Sequence, residues 1–372
     1  MTPIAALPIG EHLVLAPPGD APLRILNPVG RAIWQELAAG RDVASAAAGL
    51  ARRFGIAMTA AERQVGETLT AWHRDGLFAP PSDPRPAGAG LAPGLRAALR
   101  PGRTRTYALC GRPVSIRFVP GDLERLIQPR FGHAEVRGGR AVAHLTLARG
   151  RSGYTLTERG RPALASASAT TITGALVRRI VELSYPDRDW IAVLHAAAVG
   201  GPGGRALLLP GTNGRGKSIL TCGLVAAGYR YLTDDCVPLD RGGEVAPVPF
   251  GLCVKEPGWP VAASLLPELR DAPVEESEDG PRCRFVPPSA PASGPMRPGA
   301  IVFPRYRPGA TLSVRRLEPV ETLWMLTESR AWLSKEPRDL AILLALLERL
   351  PAVEIDYGSL DAAIEAIAAL GC

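Results

Sequence analysis

The chain has 372 residues, 46 % of them hydrophobic and 21 % charged, with a formal net charge of +7. This balance excludes a disordered polymer, and the length allows two or three domains. The positive excess is spread thinly without a Lys/Arg block, and every apolar run is broken by Gly, Pro or charge short of a membrane span, so neither nucleic acid nor membrane is an expected partner.

Six cysteines, Cys110, Cys222, Cys236, Cys253, Cys283 and Cys372, show no C-x-x-C or Cys/His metal spacing. Free thiols in a reducing cytoplasm account for them. No basic stretch with an apolar core follows Met1, which agrees with a cytoplasmic protein.

Residues 1–79 read as a small module. Strands are predicted over 12–16 and 23–26, joined by the turn Pro17, Pro18, Gly19, Asp20. Asn27 caps a helix with Pro28 at its first position and Val29, Ile33, Trp34 and Leu37 on one face. Asp42 caps a second helix that runs to Phe54 and is closed by Gly55. Thr59 caps a third, with Glu62 completing a capping box and Val65, Leu69 and Trp72 as its apolar stripe.

Strands followed by three helices, with Leu26 and Asn27 before the first helix, Ile33 and Trp34 within it, and the closing stretch from Trp72 to Phe78, resemble the PqqD-like peptide-binding domain, a small α+β winged-helix-like fold. The resemblance implies that the leader of a precursor peptide adds as a strand beside Leu23, Arg24, Ile25 and Leu26 and packs on the third helix. The exposed face of that helix, with Arg63, Glu67, Thr70 and Arg74, then lines the groove. The same face also reads as the solvated side of a structural cap. Glu62, Glu67 and Asp75 among its arginines argue against a DNA-reading surface.

Residues 80–104, rich in Pro and Gly, read as a semi-extended tether to a larger domain over 105–372. Its first part, 105–188, is β-rich, with strands over 114–119, 141–148 and 153–157 and a helix over 169–182. It carries no evident chemistry, and His133 and His144 stand alone there. The core, 189–372, opens on the apolar run 190–199, read as one buried strand that contains His195.

Residues 206–210 form a second apolar strand. It enters Gly211, Thr212, Asn213, Gly214, Arg215, Gly216, Lys217, Ser218, which fits G-x-x-x-x-G-K-[ST] and leads into a helical run. Its glycines let backbone N–H groups converge on an anion, and the helix turns its positive end the same way. Lys217 offers a charge to the β- and γ-phosphates of ATP, and Ser218 a hydroxyl to Mg²⁺. Asp234 and Asp235 close the strand after that helix. Neighbours in a strand point to opposite faces, so one can take a proton while the other orients Mg²⁺.

Leu194 and His195, the Gly211-to-Ser218 loop, and the stretch from Gly228 to Val237 resemble the HPr kinase/phosphorylase catalytic domain and its kinase-related branch. In that family a His precedes the loop and an Asp-Asp pair closes the next strand. The resemblance implies an α/β P-loop kinase domain, a mixed sheet with flanking helices. It implies Lys217 as phosphate clamp, Asp234 as base, Asp235 as its assistant and, with Ser218, as magnesium ligand, and His195 beside the transferred phosphate. Lys255 and Arg305, near strand ends, are candidate phosphate or acceptor clamps. Related kinases form oligomers, so a homo-oligomer is expected on the same basis.

The sequence departs from that family at three places. Ile219 stands where the bifunctional enzymes carry an acid, and Asn213 replaces a small hydroxyl residue. Glu256 and Glu275 are the acids available for a later metal-binding position. No segment matches the one linked to dephosphorylation, so kinase activity alone is implied. Residues 271–294, acidic and then Pro/Ser-rich, read as a surface loop or lid. Helices are expected over 322–334, 339–350 and 360–370. The sequence thus suggests a leader-guided peptide Ser/Thr kinase. A small-molecule or sugar kinase and a non-catalytic nucleotide-binding peptide chaperone stay open.

Overall fold

The computed structural model describes residues 4–19, 21–74, 77, 101–108, 112–138, 140–277 and 280–371. Its residues fall into two units, one gathering the N-terminal module with 317–327 and 333–350, the other holding the remainder. Most of the tether expected over 80–104 lies outside the described residues, as do Cys110, Cys372 and the expected end of the third helix at Gly76 and Phe78. Arg103, placed in that tether, begins a strand instead.

In the first unit, three antiparallel strands stand in the order Ala5–Ile9, His12–Ala16, Arg24–Leu26. The first was not anticipated. It folds back on the second through Gly10, whose φ of +52° suits a residue without a Cβ, and pairs Ile9 with His12. Helices Pro28–Ala38 and Val43–Phe54 begin as their sequence caps dictate. Asn27 Oδ1 accepts the Gly30 N–H and Asp42 Oδ1 the Ser45 N–H, each at 2.8 Å. Gly55 closes the second helix at φ +65°.

The third helix, Met58–Arg74, starts one residue before the expected cap Thr59, and the N–H groups of Ala60 and Ala61 both return to the Ala57 carbonyl. Thr59 therefore lies inside the first turn. The apolar faces meet in a core of Leu13, Leu15, Ile33, Leu50, Val65 and Trp72, where Trp34 meets Trp72 edge-on at 5.9 Å. Helices Pro319–Glu328 and Pro337–Leu347, expected in the C-terminal domain, belong with this unit. The latter packs on the Ala5–Ile9 strand, and Lys335 Nζ donates to the carbonyls of Gly19 and Ala21.

The second unit is an α/β domain with mixed sheets. Its lead-in is a five-stranded sheet in the order Arg103–Tyr107, Val114–Val119, Ala143–Gly150, Gly153–Glu158, Arg161–Ser166. Helix Ala169–Ser184 buries Ile172, Leu176 and Ile180 against it.

The central sheet has six strands in the order Arg230–Thr233, Ala196–Gly200, Ala206–Pro210, Pro298–Tyr306, Ala352–Tyr357, Ser313–Arg316. The run 190–199 is two strands rather than one. Trp190–Leu194 pairs with Val237–Asp240 in a separate sheet, and the chain breaks at His195 before Ala196–Gly200 enters the central one. Residues 271–294 are likewise not a plain loop. Strands Glu275–Ser277 and Gly280–Val286 form a hairpin against Leu252–Lys255.

Helix Lys217–Ala226 and helix Leu360–Ala368 cover the central sheet. They approach so closely that a Cβ on Gly223 would stand 2.8 Å from Ile364 Cδ1. This contact fixes the helix that carries the glycine loop.

Candidate functional site

Strand direction decides which residues share an edge of the central sheet. Ala206–Pro210, Pro298–Tyr306 and Ala352–Tyr357 run parallel, so their C-terminal ends lie together. Ala196–Gly200 runs antiparallel to Ala206–Pro210 and to Arg230–Thr233. That places His195, before the one, and Asp234 and Asp235, after the other, at this same edge. Across it therefore stand the carboxylates, His195, the glycine loop, and the tyrosines Tyr306 and Tyr357. His195, Lys217, Asp234 and Asp235, singled out from sequence, converge.

The loop adopts the conformation that its glycines permit. Gly214 and Gly216 have φ of +82° and +93°, and Gly216 is the left-handed N-cap of helix Lys217–Ala226. No side chain caps that helix, so its first amides are left for a ligand. The loop is tied to the neighbouring strands. Tyr306 N–H donates to the Arg215 carbonyl at 3.1 Å and Tyr357 Oη to that of Gly216 at 3.4 Å. Thr212 and Asn213 are exposed and Ser218 is half-buried.

Lys217 is buried, and its Nζ donates to the carbonyls of Gly211 at 2.6 Å and Thr212 at 3.1 Å. Burial pushes its ammonium below the ordinary lysine value, while Asp235 and Asp234 pull it back up and Lys255 adds to the fall. The cation thus lies within electrostatic reach of both carboxylates.

The two carboxylates are in unlike places. Asp234 is 3 % exposed. Its Oδ2 accepts the Cys253 N–H at 3.2 Å, and its Oδ1 is buried with no hydrogen-bond partner. Burial pushes its carboxyl up to about 7 and the Asp235 charge adds to the rise, against Cys253, Lys217 and Arg130. Asp235 sits at φ +74°, a left-handed conformation that Asp adopts more readily than most residues. Its side chain is 42 % exposed and its Oδ1 lies 3.6 Å from His195 Nε2, just beyond hydrogen-bond length. Burial alone would raise its carboxyl, but His195, Arg130 and Lys217 hold it below the ordinary value. One carboxylate is primed to take a proton and the other stays ionised.

Arg130 is the member that sequence reading missed. It belongs to helix Gln128–Phe131 in the lead-in, where no chemistry was expected. The Gly251 N–H donates to its carbonyl at 2.8 Å, Phe131 meets Phe250 edge-on at 4.9 Å, and its guanidinium lies 5.5 Å over the Phe285 ring. A Cβ on Gly251 would stand 3.1 Å from the Pro129 carbonyl, so glycine allows this close docking. Its charge reaches Asp234 and Asp235. Nothing in the local sequence marks it, because only the fold brings it there.

Other expectations fare differently. Lys255 ends its strand exposed, close enough to influence Lys217. Arg305 is not a free clamp, since its guanidinium grips both oxygens of Asp356. Ile219 packs on the buried cluster that includes Cys222 and Val254, and against Gly258, which gives the apolar residue a structural purpose at that position. Glu256 is engaged by Arg282, and Glu275 lies in the hairpin beside Cys283. No group of three His, Cys, Asp or Glu side chains among the described residues could hold a metal by itself.

In the first unit, Arg24–Leu26 stands last in its sheet among the described residues, paired with His12–Ala16. Leu23 lies just before it, and Arg24 and Ile25 are half-buried. Its end meets the third helix through Gly30, whose Cβ position lies 3.3 Å from Leu26 and 3.7 Å from Trp72. Arg63 and Glu67 are exposed on that helix.

A comparison with protein families matches residues 11–77 to coenzyme PQQ synthesis protein D (PqqD). No curated protein matches the chain. A PqqD-like domain therefore stands at the N-terminus, ahead of the α/β domain. No helix among the described residues is long and apolar enough to cross a membrane.

Proposed function

We propose that the chain is an ATP-dependent kinase acting on a Ser or Thr hydroxyl of a ribosomally made precursor peptide whose leader docks on the N-terminal module. The observation that carries this reading is one sheet edge shared by a glycine loop ending in buried Lys217 and by buried Asp234, with one carboxylate oxygen left without a donor. The HPr kinase-like order of His195, the loop and Asp234–Asp235 supports it. The PqqD-like match supports the leader as ligand, added as a strand beside Arg24–Leu26, the last strand of its sheet among the described residues, and running along Arg63 and Glu67.

The loop amides and the helix end take the phosphate tail, and Lys217 neutralises its charge. Asp234 receives the proton of the acceptor hydroxyl. The acceptor oxygen bonds to the γ-phosphorus as the bond from that phosphorus to the β–γ bridging oxygen breaks, leaving phosphopeptide and ADP. His195 steadies Asp235, and Arg130 faces the charge that develops beside the two carboxylates. The residues present fit Mg²⁺. Half-open Asp235 and half-buried Ser218 offer the one or two protein oxygens this ion takes beside phosphates and water. When bound, it neutralises phosphate charge. Leader docking raises the local concentration of the acceptor.

The test is incubation of the full chain with γ-labelled Mg-ATP and a Ser/Thr-containing precursor peptide, with and without its leader. Leader-dependent label on the peptide is expected. Transfer indifferent to the leader would make it a kinase of another acceptor. Nucleotide binding without transfer, unchanged by Asp234→Asn, would make it a peptide chaperone.

A further inference from the structure

The sheet edge has two sides. The carboxylates follow Arg230–Thr233, two strands from the loop strand, while Tyr306 ends the strand next to it on the other side and Tyr357 the strand after that. A triphosphate on the loop that presents its terminal phosphate to Asp234 must send its nucleoside the opposite way. Strand spacing puts Tyr306 about 5 Å and Tyr357 about 10 Å from the loop strand, which a ribose and base readily span.

Tyr306 is unusual there. Its strand is buried from Pro298 through Pro304, yet its own side chain is 48 % exposed. Its Cβ comes within 2.9 Å of where a Cβ on Gly216 would sit, so the ring rises directly beside the phosphate loop. Tyr357 is 1 % exposed and meets Tyr306 at 5.6 Å, tilted by 58°. The inner ring thus braces the outer one, which stays about half exposed. An aromatic surface held rigid beside a phosphate site, on the side away from the acids, suits a flat π-system.

We propose that Tyr306 is the platform on which the nucleobase of the bound nucleoside triphosphate stacks, which holds only if the loop takes such a nucleotide as proposed above. Tyr357 positions the ring and does not itself touch the ligand. Stacking adds affinity for the nucleoside half alone and leaves the phosphate half to the loop.

Two ligands separate these halves: Mg-ATP and Mg-tripolyphosphate, titrated calorimetrically into the full chain. Tyr306→Ala should weaken Mg-ATP about tenfold, the usual range for losing one base–aromatic stack, and leave tripolyphosphate within about twofold. Tyr306→Phe should keep both. Tyr306→Trp, which retains an aromatic face, should show fluorescence quenched by ATP and not by tripolyphosphate, over the wild-type background. Equal weakening of both ligands by Tyr306→Ala would mean that the ring only props the loop, and no weakening of either would mean that the base lies elsewhere. Each overturns the proposal. Wild-type protein that binds neither ligand would instead overturn the nucleotide reading and this assignment with it.

Discussion

Asp234 Oδ2 accepts the Cys253 N–H at 3.2 Å, while Oδ1 of the same carboxyl is buried with no partner. A half-satisfied buried carboxyl is costly when charged, and burial accordingly lifts it to about 7. In the unfolded chain it titrates near the ordinary value of about 3.9. Between these, the folded state holds a proton that the unfolded state does not, so this residue's stabilising contribution is full at acid pH and lost as pH rises toward 7. Asp234→Asn keeps the shape and removes the charge. In metal-free buffer with a chelator, the variant should match wild type near pH 4, pull ahead as pH rises through 5 and 6, and hold its full advantage above pH 7, by roughly 2–4 °C for each kcal/mol relieved. Phosphoryl transfer should fall at least about 100-fold. Parallel melting curves at all pH values would contradict the burial argument.

The neighbouring thiols supply an independent probe. Cys253 pairs with Phe285 and Lys255 with Cys283, so Cys253 and Cys283 are diagonal neighbours on one face of the Leu252–Lys255 hairpin sheet. The hydrogen bond from Cys253 brings Cys283 down to about 7 against the effect of burial, helped by Arg130 and Lys255, while Cys253 is pushed well up. Iodoacetamide should therefore label Cys283 ahead of Cys253, Cys222 and Cys236. Its rate should reach half its maximum near pH 7, read by peptide mass mapping. Burial pushes Cys236 up to about 12, which makes it the slow internal reference.

Arg130 joins the two sets of groups, because its charge lowers Asp234, Asp235 and Cys283 alike. Arg130→Gln should slow phosphoryl transfer by about 100-fold, the usual effect of removing one donor that meets developing charge, with ATP affinity little changed. The same variant should slow Cys283 labelling at pH 7. Arg130→Lys should restore the labelling rate more fully than the turnover, since lysine returns the charge without the planar fork. Loss of turnover with unaltered labelling would place the guanidinium away from these groups.

Local rules were legible in the sequence and long-range ones were not. Asn27, Asp42 and Gly55 bound helices where capping chemistry said they would, and Val114–Val119 falls on its apolar run. The glycine loop and the acids after Arg230–Thr233 follow from spacing alone. The break at His195 was hidden, since an apolar run of alanines and valines fits one strand as well as two in different sheets. Arg130 and Tyr306 were hidden for a different reason. Each is an ordinary residue locally, and only the docking of Phe131 on Phe250 and the parallel order of the central strands carry them to the site. The pairing of helix Pro337–Leu347 with the Ala5–Ile9 strand joins opposite ends of the chain, which periodicity cannot reveal.

Gly214 and Gly216 look interchangeable in the motif, yet the structure separates them. Both have positive φ, so alanine at either costs about 1–2 kcal/mol of backbone strain. At Gly214 nothing stands within 4 Å of the added Cβ. At Gly216 it would lie 2.7 Å from Tyr357 Oη and 2.9 Å from Tyr306 Cβ. Tyr357 is buried and paired along its strand, so neither ring can retreat without moving the sheet end, at about 1–3 kcal/mol more. Gly216→Ala should therefore unfold in urea at a lower midpoint than Gly214→Ala. It should also lose Mg-ATP binding, because the shift falls on the loop carbonyls and on Lys217, whose amide opens the helix. Gly214→Ala, strained but unobstructed, should fold well and bind ATP more weakly than wild type. Equal midpoints for the two variants would mean that the strand-end tyrosines yield freely and do not hold the loop in shape.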